Sequence, residues 1–285
     1  MVNFCDIWFS NIEISNKNKL ELLKKFKSTE NIWNSTKNNL EKLKLDEKII
    51  SIILNEKNKI NLDKYVRYME KNEIQIITYC SEKYPKKLRY IKNSPAIIYL
   101  RGNLENLNNQ GIAIVGARNA TNYGKSIARK IAKELADRKI NIISGLAIGI
   151  DKYAHLGALD SKFGRTTAVL GTGISDMEIY PAENKRVFER ILEQNGTIIS
   201  EFKLGTKPER YNFPLRNRII SGLAEKIIVV EAKEKSGSLI TVDYALEQGK
   251  DVFAVPGNIT SEYSKGTNNL IAEGAYIFQN IKDLF

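Results

Sequence analysis

The densest chemistry in this 285-residue sequence lies at Arg210-Tyr211-Asn212-Phe213-Pro214-Leu215-Arg216-Asn217-Arg218, where arginines, side-chain amides and aromatic rings interleave. A guanidinium grips a phosphate through a planar fork and also stacks on bases. An exposed phenylalanine offers any unpaired base a π-face. Such a stretch suits a polyanion that carries bases. Further cations stand at Arg118 and at Lys185-Arg186, and Ser236-Gly237-Ser238 adds two hydroxyls just before the segment Leu239–Gln248. If that segment is a helix, its N-terminal N–H groups would attract a further phosphate. Composition alone leaves Phe213 open between core and stacking platform, because Pro214 is expected to form a turn that buries its neighbour.

Catalytic and cofactor patterns are thin by comparison. Asp151 and His155 are four residues apart, on one face of a helix, and could form an acid–base pair, but no nucleophile lies near them in sequence. The expected role of His155 is to cap or pack at the base of the site, holding the loop that starts at Ser144. A dinucleotide fingerprint is not matched: the first strand exits into Gly116-Ala117-Arg118-Asn119-Ala120-Thr121, and Gly171-Thr172-Gly173 has Asp176 where the third glycine belongs. Gly124-Lys125-Ser126 fails as a phosphate-binding P-loop, because Asn119 stands where its first glycine is required. Cys5, Cys80 and His155 are the chain's only cysteines and histidine, too few for a four-ligand zinc site of the common kinds or for a disulfide framework.

These residues need a scaffold, and hydrophobic periodicity supplies one. Residues 1–72 read as a small helical domain: Leu20, Leu23 and Phe26 recur at helical spacing, Ile49, Ile50, Ile53 and Leu54 follow a cap at Asp46, and a third helix runs from Leu62 to Met69. Residues 73–285 read as α/β. Strands are expected at 74–79 and 95–100, then at Ile112–Val115, Ile140–Ser144, Thr167–Leu170, Thr197–Ser200, Ile227–Val230 and Val252–Val255, with amphipathic segments such as Ser126–Leu135 and Val187–Leu192 between. Compact apolar strands alternating with helices imply a mostly parallel, doubly wound sheet covered on both faces. In such a sheet ligands bind beyond the carboxyl ends of the strands. Those exits carry Gly116-Ala117-Arg118, Gly145-Leu146-Ala147 and Gly171-Thr172-Gly173, then Glu201-Phe202, Glu231-Ala232 and Pro256-Gly257. The small residues are expected to let backbone approach a phosphate, placing Gly116, Thr121, Gly145 and Gly237 at the binding rim.

The net charge of +11, from 44 basic and 33 acidic side chains, also favours a polyanionic partner. It is unevenly placed: residues 1–110 hold 20 basic and 13 acidic side chains, residues 111–285 hold 24 and 20. A site in the second part therefore depends on a few placed arginines. The N-terminus lacks the basic region and apolar run of a signal peptide, and no apolar stretch reaches membrane-spanning length. A cytoplasmic protein with no membrane partner is expected.

From about residue 84 to 278 the chain resembles one family, DNA-processing protein A, also called Smf. The resemblance rests on Val115-Gly116-Ala117-Arg118 with Thr121-Asn122-Tyr123-Gly124, on Ser144-Gly145-Leu146-Ala147-Ile148-Gly149-Ile150-Asp151 with Ala154-His155, and on Gly171-Thr172-Gly173 with Tyr180-Pro181 and Asn184. It continues through Ser200-Glu201-Phe202, Phe213-Pro214-Leu215-Arg216-Asn217-Arg218, Lys235-Ser236-Gly237-Ser238 and Val252-Phe253-Ala254-Val255-Pro256-Gly257. The resemblance implies an extended Rossmann-like domain, preceded by a small sterile-alpha-motif-like (SAM-like) domain. It also implies non-sequence-specific binding of single-stranded DNA, homodimer formation, and loading of RecA in natural transformation and recombination, with no cofactor. Carried over by position, Arg118 would hold phosphate, and Phe213, Arg216 and Asn217 would line the strand path with Ser236 and Ser238. Ala182 and Glu183 stand where some relatives have a basic contact after Tyr180-Pro181, so Lys185, Arg186 or Arg210 would substitute. No counterpart of the relatives' C-terminal winged-helix-like domain is expected before Phe285.

Two readings compete with a non-catalytic DNA binder. One is a nucleotide-processing enzyme of the phosphoribohydrolase type, with Glu231 or Asp151 as acid or base. The other is a nucleotide-sensing scaffold that ignores DNA.

Overall fold

In a computed structural model, residues 3–43, 45–55 and 62–285 are described. Helices α1 (Phe4–Asn11), α2 (Asn16–Phe26), α3 (Thr29–Trp33), α4 (Lys37–Glu41), α5 (Glu47–Asn55) and α6 (Leu62–Lys71) come first. Side chains satisfy their open N-termini: Ser15, Ser28 and Thr36 each accept from a backbone N–H of the first turn. A turn at Asn72–Glu73 separates α6 from β1.

The chain then alternates: β1 (Ile74–Thr78), β2 (Ile97–Gly102), β3 (Gly111–Val115), α7 (Asn122–Ala136), β4 (Asn141–Ser144), α8 (Ile150–Leu159), β5 (Thr166–Val169), α9 (Lys185–Glu193) and β6 (Thr197–Ser200). It ends with α10 (Asn212–Leu223), β7 (Lys226–Val229), α11 (Leu239–Glu247), β8 (Asp251–Ala254), α12 (Glu262–Ala272) and β9 (Tyr276–Ile277). All nine strands join one sheet in the order β1-β2-β6-β5-β4-β3-β7-β8-β9. The stretch from β6 to β9 is parallel, whereas β1 and β2 pair antiparallel at one edge. The fold is thus α/β with a mostly parallel sheet, as the periodicity implied.

Pleating sends alternate residues of a strand to opposite faces. In β3, Ile112 and Ile114 pack with Ala128, Ile131 and Ala154 of α7 and α8, while Ala113 and Val115 pack with Ile219, Ile220 and Val242 of α10 and α11. The N-terminal helices join a third cluster: Trp8, Leu22 and Leu23 share it with Tyr99, Ile198 and Phe188 of the sheet and α9. Polar seams reinforce that junction. Asn16 donates to the Ser94 carbonyl (2.9 Å) and accepts from the Ala96 N–H (2.8 Å).

The chain reverses its winding beside β3. The β3–α7–β4 unit runs to one side, and the crossover from β6 through α10 returns the chain to β7 on the other. The exits of β3 and β7 therefore border the crevice where such sheets take ligands.

Candidate functional site

A cleft of about 730 Å³ opens at this reversal. Its walls come from the β3 exit (Gly116, Arg118), the start of α10 (Phe213, Arg216, Asn217) and the segment after β7 (Lys235, Ser236, Ser238).

Phe213 sits half-buried in the wall. Pro214 does not make a turn: it occupies the first turn of α10, where its missing N–H is not needed, and the helix continues to Leu223. Phe213 is thereby offered to the cleft instead of the core. The exposed Arg118 guanidinium stands 5.3 Å from its ring centroid, and the Tyr180 ring 5.6 Å away. Gly171 allows this placement, because a Cβ there would come within 2.8 Å of the Phe213 ring.

Arg216 lies beneath and is only 3% exposed. Nη1 donates to the Gly145 carbonyl (2.7 Å) and to the Val169 carbonyl, and Nε donates to Asn217 Oδ1 (3.1 Å). No carboxylate among the described residues forms an ion pair with it. Burial lowers its pKa to about 10, partly offset by the nearby Asp151 and reinforced by Arg118. It therefore remains a cation at neutral pH, set in the floor of the cleft. Asn217 reaches onward to the Gly237 carbonyl (3.3 Å), and the Ser236 and Ser238 hydroxyls bond each other at 2.8 Å. Gly237 has open space around it, so backbone there is free to approach a ligand.

Other expected site residues have structural duties. Arg218 is buried and forms a two-pronged ion pair with Glu201, both N···O distances 2.6 Å, with Nε on the Asn93 carbonyl. It lies outside the cleft, and its charge is neutralised within the fold. Thr121 gives its N–H (2.9 Å) and its hydroxyl (2.5 Å) to the Glu231 carboxylate, and its oxygen caps α7. Neither donor is open to a phosphate. Gly116 and Gly145 are small because protein atoms press on them: a Cβ would lie 2.7 Å from the Glu231 carbonyl oxygen in the first case and 2.6 Å from the Arg216 guanidinium in the second. The glycine exits thus serve packing more than ligand approach, with Gly237 as the contrast.

Of the three replacements expected after Tyr180-Pro181, Arg210 lines the cleft, while Lys185 and Arg186 stand exposed at the start of α9 outside its lining. Lys233 and Lys235 also line it and are not among the expected contacts, although Lys235 opens the motif Lys235-Ser236-Gly237-Ser238.

The acidic candidates are occupied. Asp151 accepts from the Gly145 N–H (3.1 Å) and the Ala147 N–H (3.4 Å), and Asn184 donates to the Leu146 carbonyl (2.9 Å). Asp151, not His155, thus holds the loop after Ser144. Burial raises the Asp151 pKa against the opposing pull of Arg216 and these N–H donors. His155 is fully buried at Thr166: the Thr166 hydroxyl donates to the Ile142 carbonyl (2.6 Å), so the imidazole Nδ1–H donates to Thr166 Oγ1 (2.7 Å). Asp151 and His155 make no hydrogen bond to each other. No helix among the described residues is long and apolar enough to cross a membrane.

The family profile of DNA recombination-mediator protein A matches residues 75–285, most of the chain and every residue of the cleft. The chain belongs to this family. It is 39% identical over 261 residues to the Smf protein of Synechocystis, covering 90% of this chain and 65% of that protein. It is 42% identical to the DNA processing protein DprA of Bacillus subtilis over 74% of this chain and 70% of that protein. The fold matches an X-ray structure of DNA processing protein A from Streptococcus pneumoniae with a TM-score of 0.83 and 31% identity, over 100% of this chain and 98% of the other. A structure of the Helicobacter pylori protein, described by its unique single-stranded DNA binding mode, matches with a TM-score of 0.66 and 32% identity, over 73% of this chain and 93% of that one. As a recombination-mediator family member, the chain carries the family's sheet with the cleft at its winding reversal.

Proposed function

We propose that the protein binds single-stranded DNA without sequence preference in this cleft, and that it loads RecA onto the bound strand during natural transformation and recombination. The observation that carries the reading is the buried Arg216 cation, which forms no ion pair with a carboxylate among the described residues, beneath the exposed Arg118 and the half-buried Phe213 ring. A fixed positive floor attracts phosphate, and an aromatic ring at the rim accepts any base, because every base has a π-face. The protein's relatives support the reading: the Helicobacter protein is described by single-stranded DNA binding. A homodimer would present two clefts to one strand and raise the apparent affinity through effective concentration.

The protein acts as a binder without turnover. Glu231 has both carboxylate oxygens engaged by Thr121, and Asp151 holds two backbone N–H groups. Neither is poised as an acid or base for nucleotide cleavage. Gel shifts with labelled single- and double-stranded oligonucleotides at several salt concentrations test the binding half, with preference for the single strand expected. Release of free base from nucleoside monophosphates would favour the enzyme instead. RecA loading is tested by adding the protein to strands coated with single-strand binding protein. Faster filament assembly is expected, and an unchanged rate contradicts it.

A further inference from the structure

The opposite end of the sheet holds a second basin, of about 620 Å³, where the loops entering β3, β4, β5 and β6 meet. Three cations line it, Lys139, Lys162 and Arg165, together with Phe163 and carboxamides such as Asn109 and Gln194; no acidic side chain does. None of the three cations has an ion-pair partner among the described residues.

The aromatic ring is held out of the core by the backbone. A Cβ at Gly164 would collide with the Ala158 carbonyl, so the loop after α8 passes tightly over that helix end. The Phe163 N–H and the Gly164 N–H both bond Ser161, at 3.2 and 3.3 Å. Phe163 is left 57% exposed, with Lys139 Nζ 5.6 Å from its ring centroid. The surrounding loops are stitched together: the Asn141 N–H donates to the Gln110 carbonyl (2.9 Å), the Ile142 N–H to the Arg165 carbonyl (3.2 Å), and Asn106 Nδ2 to the Asn195 carbonyl (3.0 Å). Cation, amide and aromatic ring recur here in the combination found at Arg118, Asn217 and Phe213, with the ring more exposed.

α7 connects the two sites. Its 15 residues span about 22 Å at ~1.5 Å per residue, from the cleft rim to the loop that holds Lys139. Arg129, Lys130 and Lys133 are exposed along it, in surface ion pairs with Asp160, Glu134 and Asp137. Such pairs contribute little, and a phosphate can replace the carboxylate.

Resting on the cleft reading above, we propose that this basin is a second contact for the same single strand, taking phosphates at Lys139, Lys162 and Arg165 and a base on Phe163. It engages only when the strand is long enough to leave the cleft and follow α7. The bland alternative is that the three cations merely offset the C-terminal ends of α7, α8 and α9, which converge here with partial negative charge.

Length dependence separates the two. Fluorescence anisotropy would compare wild type with Lys139→Ala/Lys162→Ala/Arg165→Ala on oligothymidylates of about 6 and about 30 nucleotides, bracketing single-strand site sizes of ~4–16. The triple variant is expected to bind the short strand as wild type does. On the long strand it should lose affinity, with the salt slope falling by up to about 2, at ~0.7 per phosphate contact surrendered. Equal affinities for both strands in both proteins would overturn the basin while leaving the cleft intact. Failure of wild type to bind even the long strand would overturn both readings. A second readout uses Phe163→Trp, whose fluorescence should be quenched by the long strand and not by the short one. Loss of thermal stability in the triple variant with no change in DNA binding would establish the helix-end role instead.

Discussion

Arg216 and Arg218 stand two positions apart on α10 and differ in what surrounds the guanidinium. Arg216 meets carbonyl oxygens and stays an open charge beneath the cleft; Arg218 meets Glu201 and is cancelled. Removing one partner of a buried ion pair leaves the other uncompensated, so Arg218→Ala is expected to cost about 3–5 kcal/mol of stability. DNA affinity of the folded fraction should be unchanged. Denaturant unfolding with titration of the refolded protein checks both. Sequence alone could not separate the two arginines, because the acid that neutralises Arg218 lies 17 residues away at the β6 exit. His155 makes a prediction in pH. Burial lowers its pKa from 6.5 to about 3, with Arg216 adding to the effect. The unfolded chain thus takes up a proton that the folded ring refuses. Stability is undiminished above pH 6.5 and falls as pH drops towards 3, by about 1.4 kcal/mol per pH unit from this group. In melts, His155→Gln should be less destabilising relative to wild type at about pH 4.5 than at about pH 7. An equal difference at both pH values would contradict a neutral, buried ring.

At the scale of elements, the site depends on where loops are pinned. Asp151, Asn184 and Arg216 all hold the β4 exit, and Glu178 joins the loops on either side of β6, accepting from the Ser175 N–H (3.0 Å) and the Gly205 N–H (2.8 Å). Gly171 sets the gap into which Phe213 fits. Gly171→Ala should push the ring out of line, lowering affinity for single strands severalfold while leaving the salt slope unchanged, since no phosphate contact is removed. A changed slope with unchanged affinity would show that the ring is not a contact. Strand–helix alternation was legible because apolar runs and amphipathic segments differ in period, and five of the six core strands were located to within a residue or two while β6 matched in full. α10 was harder to see. Pro214 reads as a breaker unless its place in the first turn is known, so Phe213 stayed open between core and platform. The glycine exits were misread for a related reason: a small residue in sequence does not say whether ligand or protein fills the space it leaves. Thr121 shows the same limit, because its partner Glu231 comes from the far side of β3.

Across the whole molecule, the charge of +11 is a poor guide to the site. Most of the excess belongs to residues 1–110, whereas the cleft draws on the nearly balanced remainder and concentrates Arg118, Arg210, Arg216, Lys233 and Lys235 at one end of the sheet. Lys233 is partly offset by Glu262 at 2.8 Å, and Asp151 is tied to backbone, so the cleft keeps a positive balance. The winding reversal between β3 and β7 gathers residues more than a hundred positions apart into that space. The most direct test is the salt dependence of single-stranded oligonucleotide binding by wild type and Arg118→Ala. Arg118 is exposed and its side chain makes no hydrogen bond or ion pair among the described residues, only the contact with the Phe213 ring, so its loss should weaken binding and lower the slope of log K against log salt by about 0.7, the release expected for one phosphate contact on a single strand. Identical affinities for the two proteins across the whole salt series would contradict the placement of the DNA in this cleft.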